Sequence, residues 1–264
     1  MTALNLEVRG SGPTIALLHG WGLNLRVWDG LADVLSEQFR TVAVDLPGHG
    51  RSAWLPERSS FAGQAQQIHE AVSAIAATYS VLGWSLGGQI ALQLAAAPDT
   101  AAAIDRLVLI AATPRLSSAA DWPYGAAPQR LAEQEAALRT DYQRTVGDFL
   151  ELQVRGSAGG EAALAQLRAA LFAHGEARPQ ALARGLALLR DGDLRPLLGA
   201  IAQPALVIAG QYDRVTLPAA SQALAEGLAD ARFVEIRRAA HAPFLSHLPQ
   251  VSLLLREFLG CASA

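Results

Sequence analysis

Residues 81–97 read Val81-Leu82-Gly83-Trp84-Ser85-Leu86-Gly87-Gly88-Gln89-Ile90-Ala91-Leu92-Gln93-Leu94-Ala95-Ala96-Ala97. A short apolar run with strand character stops at Trp84, and a helical pattern opens directly after Ser85. Gly83 to Gly87 match G-x-S-x-G, in which a serine sits on a sharp strand-to-helix turn. Side chains two places to either side of such a turn would collide, so glycine is required there, and Gly88 keeps the same surface bare. The turn also aims the first amides of the helix at the serine, where the Leu86 N–H and the helix dipole can hold an oxyanion. A nucleophilic Ser85 is the expectation, with a structural glycine-rich turn as the alternative.

Similar apolar runs bounded by Gly, Pro and Asp recur at 15–18, 41–44, 107–111, 205–209 and 233–236, with an antiparallel edge at 4–8. Helical patterns separate them at 25–38, 61–77, 86–97, 218–228 and 250–259. This alternation predicts an α/β fold with a mostly parallel central sheet and helices on both faces. It fails between Thr113 and Arg190, where the pattern is helical with breaks at Pro123, Pro128, Gly156, Gly159-Gly160 and Pro179. The expected organisation is therefore a core of residues 1–113 and 191–264 with an inserted helical cap at 114–190. Ligands of open α/β sheets bind beyond the carboxyl ends of the strands, which a cap there would cover. A helical bundle that merely extends the core is the plainer alternative.

A serine hydroxyl is a poor nucleophile near neutral pH and needs a base, which in turn needs an orienting acid. After the run at 205–209 comes Gly210-Gln211-Tyr212-Asp213, and after the run at 233–236 comes Ala239-Ala240-His241. Asp213 and His241 are 28 residues apart, room for one helix and one strand that return both loops to the same sheet edge. His247 comes too late, His69 and His174 fall within helical stretches, and Asp191 and Asp193 precede the last pair of strands. The loop after the early strand, His19-Gly20-Trp21-Gly22, should give the second oxyanion donor, the Trp21 N–H, while the indole walls a pocket and His19 holds the loop by hydrogen bonds.

Composition excludes several other classes. The chain has 264 residues, 51% of them hydrophobic and 17% charged, enough apolar surface for a compact core. All 21 basic residues are arginine, against 24 acidic ones, and a net charge of −3 gives no footprint for nucleic acid or anionic lipid. The single cysteine, Cys261, allows no internal disulfide. The N-terminus lacks a basic segment followed by a long apolar one, and no stretch is long and apolar enough to span a bilayer, so a cytoplasmic protein is expected, as a monomer. Gly48-His49-Gly50-Arg51-Ser52-Ala53 fits G-x-G-x-x-A, but Trp54-Leu55-Pro56 follows where a helix should open, so a dinucleotide cofactor is not expected. His241 and His247 have no carboxylate or thiolate companions at ligand spacing, so no metal is expected either.

The chain resembles the α/β-hydrolase-fold serine esterases, in which the triad runs Ser, Asp, His along the chain. Four runs carry the likeness: 17–24 (Leu-Leu-His-Gly-Trp-Gly-Leu-Asn), 44–52 (Val-Asp-Leu-Pro-Gly-His-Gly-Arg-Ser), 82–88 and 239–247. Tryptophan beside both the oxyanion loop and the nucleophile narrows it to the carboxylesterases of biotin synthesis that act on the methyl ester of a pimeloyl-carrier protein. The cap adds Asp121-Trp122-Pro123 and Gln143-Arg144-Thr145-Val146, leading to Phe149-Leu150-Glu151-Leu152-Gln153.

The resemblance implies two-step ester hydrolysis by Ser85, His241 and Asp213 without a cofactor, with Phe149, Leu150, Glu151, Leu152 and Gln153 lining an acyl pocket together with Trp21, Ser85, Leu86 and His241. It also implies an acyl-carrier-protein-bound substrate docked on Arg139, Arg144, Arg155 and Arg168, although residues 114–190 carry a net charge of only +1 and solvated helix charges are the alternative. Other hydrolases with the same triad, acting on small esters, enol-lactones or carbon–carbon bonds, remain open, as does a ligand receptor on this scaffold.

Overall fold

The computed structural model describes residues 4–260, with the backbone alone for Arg139, Tyr142 and Gln143. Cys261 lies outside the described residues. Seven strands form one sheet: β1 (Leu6–Arg9), β2 (Thr14–Leu18), β3 (Arg40–Val44), β4 (Tyr79–Trp84), β5 (Ile104–Ile110), β6 (Ala205–Gly210) and β7 (Ala231–Ile236). Their spatial order is β1-β3-β2-β4-β5-β6-β7, antiparallel only where β1 meets β3. The inner strands β2, β4 and β6 are buried along their whole length, because helices cover both faces of the sheet.

On the core side lie α1 (Asp29–Leu35), α2 (Phe61–Ser73), α3 (Leu86–Ala96) and the single turn α4 (Pro98–Ala101). Between β5 and β6 come four helices, α5 (Pro128–Thr140), α6 (Tyr142–Val154), α7 (Gly160–Ala173) and α8 (Pro179–Asp191). The chain then closes with α9 (Pro218–Glu226), α10 (Pro243–Ser246) and α11 (Leu248–Gly260). The unbroken helical pattern between the breaks at Pro128 and Gly156 is two helices rather than one. Asp141 takes an extended backbone between them, and its carboxylate accepts from the Arg144 N–H at 3.1 Å, capping α6. The helical stretch expected over 25–38 is likewise a 3-10 turn, Leu25–Trp28, running into α1.

Under the sheet's carboxyl edge, Trp28, Trp84 and Phe244 pack together, with ring centroids of Trp28 and Phe244 4.5 Å apart and of Trp84 and Phe244 5.0 Å apart. Backbone approach is close at the turn after β4. A Cβ on Gly87 would fall 2.2 Å from the Leu18 carbonyl oxygen, and one on Gly83 2.4 Å from the Gly87 carbonyl oxygen. In contrast, Gly147 on α6 has open space where its side chain would be. Gly87→Ala is therefore expected to destabilise the protein by about 2 kcal/mol or more, the cost of overpacking against backbone that cannot move aside. Gly147→Ala should instead raise stability by up to about 1 kcal/mol through helix propensity, and urea unfolding of the two variants checks both signs.

Candidate active site

Ser85 takes φ 55° and ψ −116°, a region that side chains rarely occupy and that costs on the order of 1–3 kcal/mol. Neighbouring strands and the following helix hold it there. Its N–H donates to the Ile110 carbonyl at 3.0 Å, and its own carbonyl accepts from Gly88 and Gln89 at 2.9 and 3.2 Å. The side chain stands at the N-terminus of α3 and lines a cavity under the helices between β5 and β6.

Asp213 follows β6 and is buried, with Oδ1 accepting the backbone N–H groups of Val215 (2.8 Å) and Thr216 (2.9 Å). Its Oδ2 lies 2.8 Å from Nδ1 of His241, in the loop after β7. A carboxylate can only accept here, so Nδ1 carries the proton and Nε2 presents its lone pair. The imidazole is fixed from both sides of its backbone. His241 N–H donates to the Gln153 carbonyl at the end of α6 (2.9 Å), and its carbonyl accepts from the Trp84 indole N–H, next to Ser85, at 2.8 Å. Nε2 is buried and makes no hydrogen bond among the described residues, to Ser85 Oγ or to any other group. Such bonds tighten when substrate is bound.

The rejected alternatives are all engaged elsewhere. Asp193 is held by Arg115 and Arg195, Asp191 by Arg190, and His69 lies against Tyr79 and Ser73. Arginine hydrogen bonds hold the Asp193 carboxyl down to about 2. His247 Nδ1 lies 2.8 Å from Ser246 Oγ, and no group of His, Cys, Asp and Glu among the described residues is placed to hold a metal.

The loop expected to give the second oxyanion donor abuts the serine, since a Cβ on Gly20 would sit 3.4 Å from that of Ser85. Two imidazoles clamp this loop. His19 Nδ1 lies 2.8 Å from the Gly20 carbonyl while its Nε2 accepts from the Leu46 N–H at 3.0 Å. His49, inside the motif that mimics a dinucleotide fingerprint, has its Nδ1 3.2 Å from the Pro47 carbonyl and its Nε2 accepting from Gly22 at 3.4 Å. Burial pushes His19 down to about 4 and His49 down to about 3, so both stay neutral and can each donate and accept. Around them the loop closes on the buried Asp45, whose carboxylate accepts from Leu25 and Arg51 N–H groups and from the Asn5 amide. A Cβ on Gly50 would fall 2.4 Å from that carboxylate. The Trp21 and Leu86 N–H groups, the expected oxyanion donors, lie on this loop and at the first residue of α3.

Trp21 is buried, its indole N–H donating to the Leu182 carbonyl of α8 (3.0 Å) and its ring meeting Phe149 edge to face at 5.2 Å. Trp21, Phe149 and Leu152 share the Ser85 cavity, as the resemblance implies. Leu150, Glu151 and Gln153 do not line it. Leu150 turns into the packing between α6 and α7, Glu151 points outward to an ion pair with Arg168, and Gln153 is buried with its side-chain amide unbonded among the described residues. The buried Leu86 and His241 lie outside its wall as well. Three successive residues on a helix cannot face one cavity, because they are rotated by about 100° from one another. Sequence reasoning missed Leu131 and Gln134 of α5, Leu186 and Leu189 of α8, and the polar pair Arg130 and Arg214. The i, i+3 spacing of Leu186 and Leu189 was a usable signal.

Of the arginines expected to dock a carrier, Arg144 is 3.8 Å from Asp148 and Arg168 3.0 Å from Glu151, while Arg155 is exposed with no ion pair among the described residues. The Arg139 side chain lies outside the described residues. Among the described residues, no helix is long and apolar enough to cross a membrane.

A strained serine at the end of β4 and an Asp–His pair from the loops after β6 and β7, on this strand order, define the class. The chain belongs to the alpha/beta hydrolase fold family, which matches residues 13–248. It is 39% identical to the pimeloyl-[acyl-carrier protein] methyl ester esterase of Nitrosomonas europaea, covering all of both chains. It is 40% identical to the protein of the same name from Xanthomonas oryzae pv. oryzae, covering 97% of this chain and 99% of the other. An esterase from Exiguobacterium antarcticum shares the fold with a TM-score of 0.89 at 22% identity, covering 98% of this chain and 96% of that one.

The two depressed histidines make acid stability a test of the loop. Below pH 6.5 the unfolded chain takes up protons that the native His19 and His49 refuse until about pH 4 and 3, so stability falls across that window. Urea midpoints should drop between pH 7 and 4, and His49→Gln should flatten that slope while lowering stability at pH 7. An unchanged slope would mean that His49 is not buried neutral.

Proposed function

We propose that the protein is a serine carboxylesterase that hydrolyses the methyl ester of pimeloyl-[acyl-carrier protein], releasing methanol and the free acid in biotin biosynthesis. The observation that carries this reading is the placing of Ser85 in a mainly apolar cavity with Trp21, Phe149 and Leu152, close to a His241–Asp213 pair whose Nε2 is left unbonded. Full-length similarity to proteins bearing that name supports the choice of substrate.

In the proposed mechanism, His241 Nε2 takes the proton of Ser85 Oγ as the oxygen attacks the ester carbonyl. The carbonyl oxygen becomes an oxyanion facing the Trp21 and Leu86 N–H groups. Collapse breaks the bond to the methoxy group, which leaves as methanol with the proton from His241. Water then attacks the acyl-enzyme, His241 takes its proton and returns it to Ser85, and the carboxylic acid departs. Asp213 stays ionised throughout, holding the imidazole tautomer and stabilising the transient imidazolium. No step calls for a metal or an organic cofactor. The helices over the cavity act as the cap, the proposed compartment is the cytoplasm and the proposed state is a monomer.

Ser85→Ala should abolish methanol release from methyl pimeloyl-carrier protein with the fold intact, and Asp213→Asn should lower kcat by about 10⁴, the size expected for the wrong imidazole tautomer. Retention of Ser85→Ala activity within about tenfold would contradict the assignment. Phe149→Ala should weaken turnover of long-chain esters more than short ones by removing pocket wall, as a series of free methyl esters will show.

A further inference from the structure

Glycine in the middle of a helix lowers stability, because it has the most backbone freedom to lose on folding. Gly185 nevertheless stands at the centre of α8, and it is buried. A Cβ there would fall 2.7 Å from Cδ1 and 3.1 Å from Nε1 of Trp21, whereas carbon atoms pack at about 3.5–4.0 Å. It would also lie 3.6 Å from Cδ2 of Leu86, the residue after the serine. Three residues earlier, on the same face of α8, is Leu182, whose carbonyl accepts the Trp21 indole N–H at 3.0 Å. A helix carbonyl has a second lone pair beyond its intrahelical bond, and the bare flank at Gly185 lets a donor from another element reach it. The pyrrole half of the indole is therefore seated against the backbone of α8 and not over a side chain.

Helix α8 is tied at both ends and cannot back away. The Arg178 N–H, just before its start, donates to the Gly48 carbonyl at 2.8 Å, and the Arg190 carbonyl in its last turn accepts from Ser117 Oγ at 2.5 Å. The Trp21 ring is closed in by Leu86 and, edge to face, by Phe149. The open space beside it is the Ser85 cavity, whose wall it shares with Phe149, Leu186 and Leu189. A side chain at position 185 would thus push the indole into the space beside the serine. The backbone on either side of Trp21 is held separately, Gly20 by His19 and Gly22 by His49, so the Trp21 N–H would keep its place. We propose that Gly185 is a positioning residue that sets acyl-chain selectivity: by carrying no side chain it lets the Trp21 ring stand back against α8 and leaves room beside Ser85 for a long acyl group. Gly185 does not itself line the cavity and acts through Trp21. The proposal rests on the esterase reading above.

The test measures kcat/KM of the wild type, Gly185→Ala, Trp21→Val and the double variant on para-nitrophenyl acetate and para-nitrophenyl heptanoate. Active sites are counted by stoichiometric phosphonate labelling, so that any loss of folded protein drops out. Gly185→Ala should lower kcat/KM for the heptanoate roughly tenfold, mainly through KM, and for the acetate by less than about threefold. Trp21→Val has no atoms at the point that a side chain at 185 would strike. In that background Gly185→Ala should change either ester by less than about threefold, a non-additivity that a merely structural glycine would not produce. An unchanged heptanoate-to-acetate ratio in Gly185→Ala, whether both rates hold or both fall together, would overturn the proposal, as would an equal drop in the Trp21→Val background. Should the clash unfold Gly185→Ala, the double variant must still fold and match Trp21→Val on both esters, and one that stays unfolded would overturn the proposal too. A wild-type protein that hydrolyses neither ester would overturn the esterase reading alone. Calorimetric binding of heptanoate then decides the proposal: weakened roughly tenfold by Gly185→Ala if it holds, unchanged if it does not.

Discussion

The contact on which the rest of this structure depends is the backbone approach at the turn after β4. Gly87 lies against the carbonyls of Leu18 and His19, and Gly20 lies against Ser85, because none of these glycines carries a side chain. That approach fixes three things together: the strained φ of Ser85, the start of α3, and the position of the oxyanion loop relative to the serine hydroxyl. A cost on the order of 1–3 kcal/mol for the serine's backbone is absorbed by a parallel sheet buried on both faces, which leaves little freedom to relax it.

The sheet domain and the helices between β5 and β6 are joined at and around the proposed catalytic side chains. The Trp21 indole donates to the Leu182 carbonyl on α8, His241 N–H donates to the Gln153 carbonyl at the end of α6, and Nε2 of His174, just after α7, lies 3.0 Å from Asp45 Oδ2 beneath the oxyanion loop. In the proposed mechanism, a movement of these helices would shift the base and the oxyanion donor together. This coupling suits a site whose substrate enters beneath the cap, since its binding energy can be spent on closing the Ser85–His241 hydrogen bond.

Much of this was legible in the sequence because the deciding signals are local. The seven strands, the antiparallel edge and the elbow at Ser85 follow from short apolar runs and from glycines at fixed offsets. Asp213 and His241 were legible because each follows a strand that ends on the same sheet edge. The lining of the Ser85 cavity was not, since of the five residues 149–153 only Phe149 and Leu152 line it and the other three turn away. The break at Asp141 was hidden inside a continuous helical pattern, where an acidic residue reads equally well as a solvated helix position. Arg130 and Arg214 carry no periodic signal at all. They share a cavity only because α5 and the loop after β6 come together there, which is a tertiary fact.

The most direct measurement is covalent trapping of the nucleophile. A methyl alkylphosphonate with a good leaving group mimics the tetrahedral intermediate and phosphonylates a serine that is activated by its base and faced by oxyanion donors. Intact-mass analysis followed by peptide mapping should show one adduct per chain, on Ser85, and the rate of labelling should fall by orders of magnitude in His241→Ala. A stoichiometric adduct on any other residue, or labelling of Ser85 at the same rate without His241, would contradict the assignment of the Ser85, His241 and Asp213 machinery.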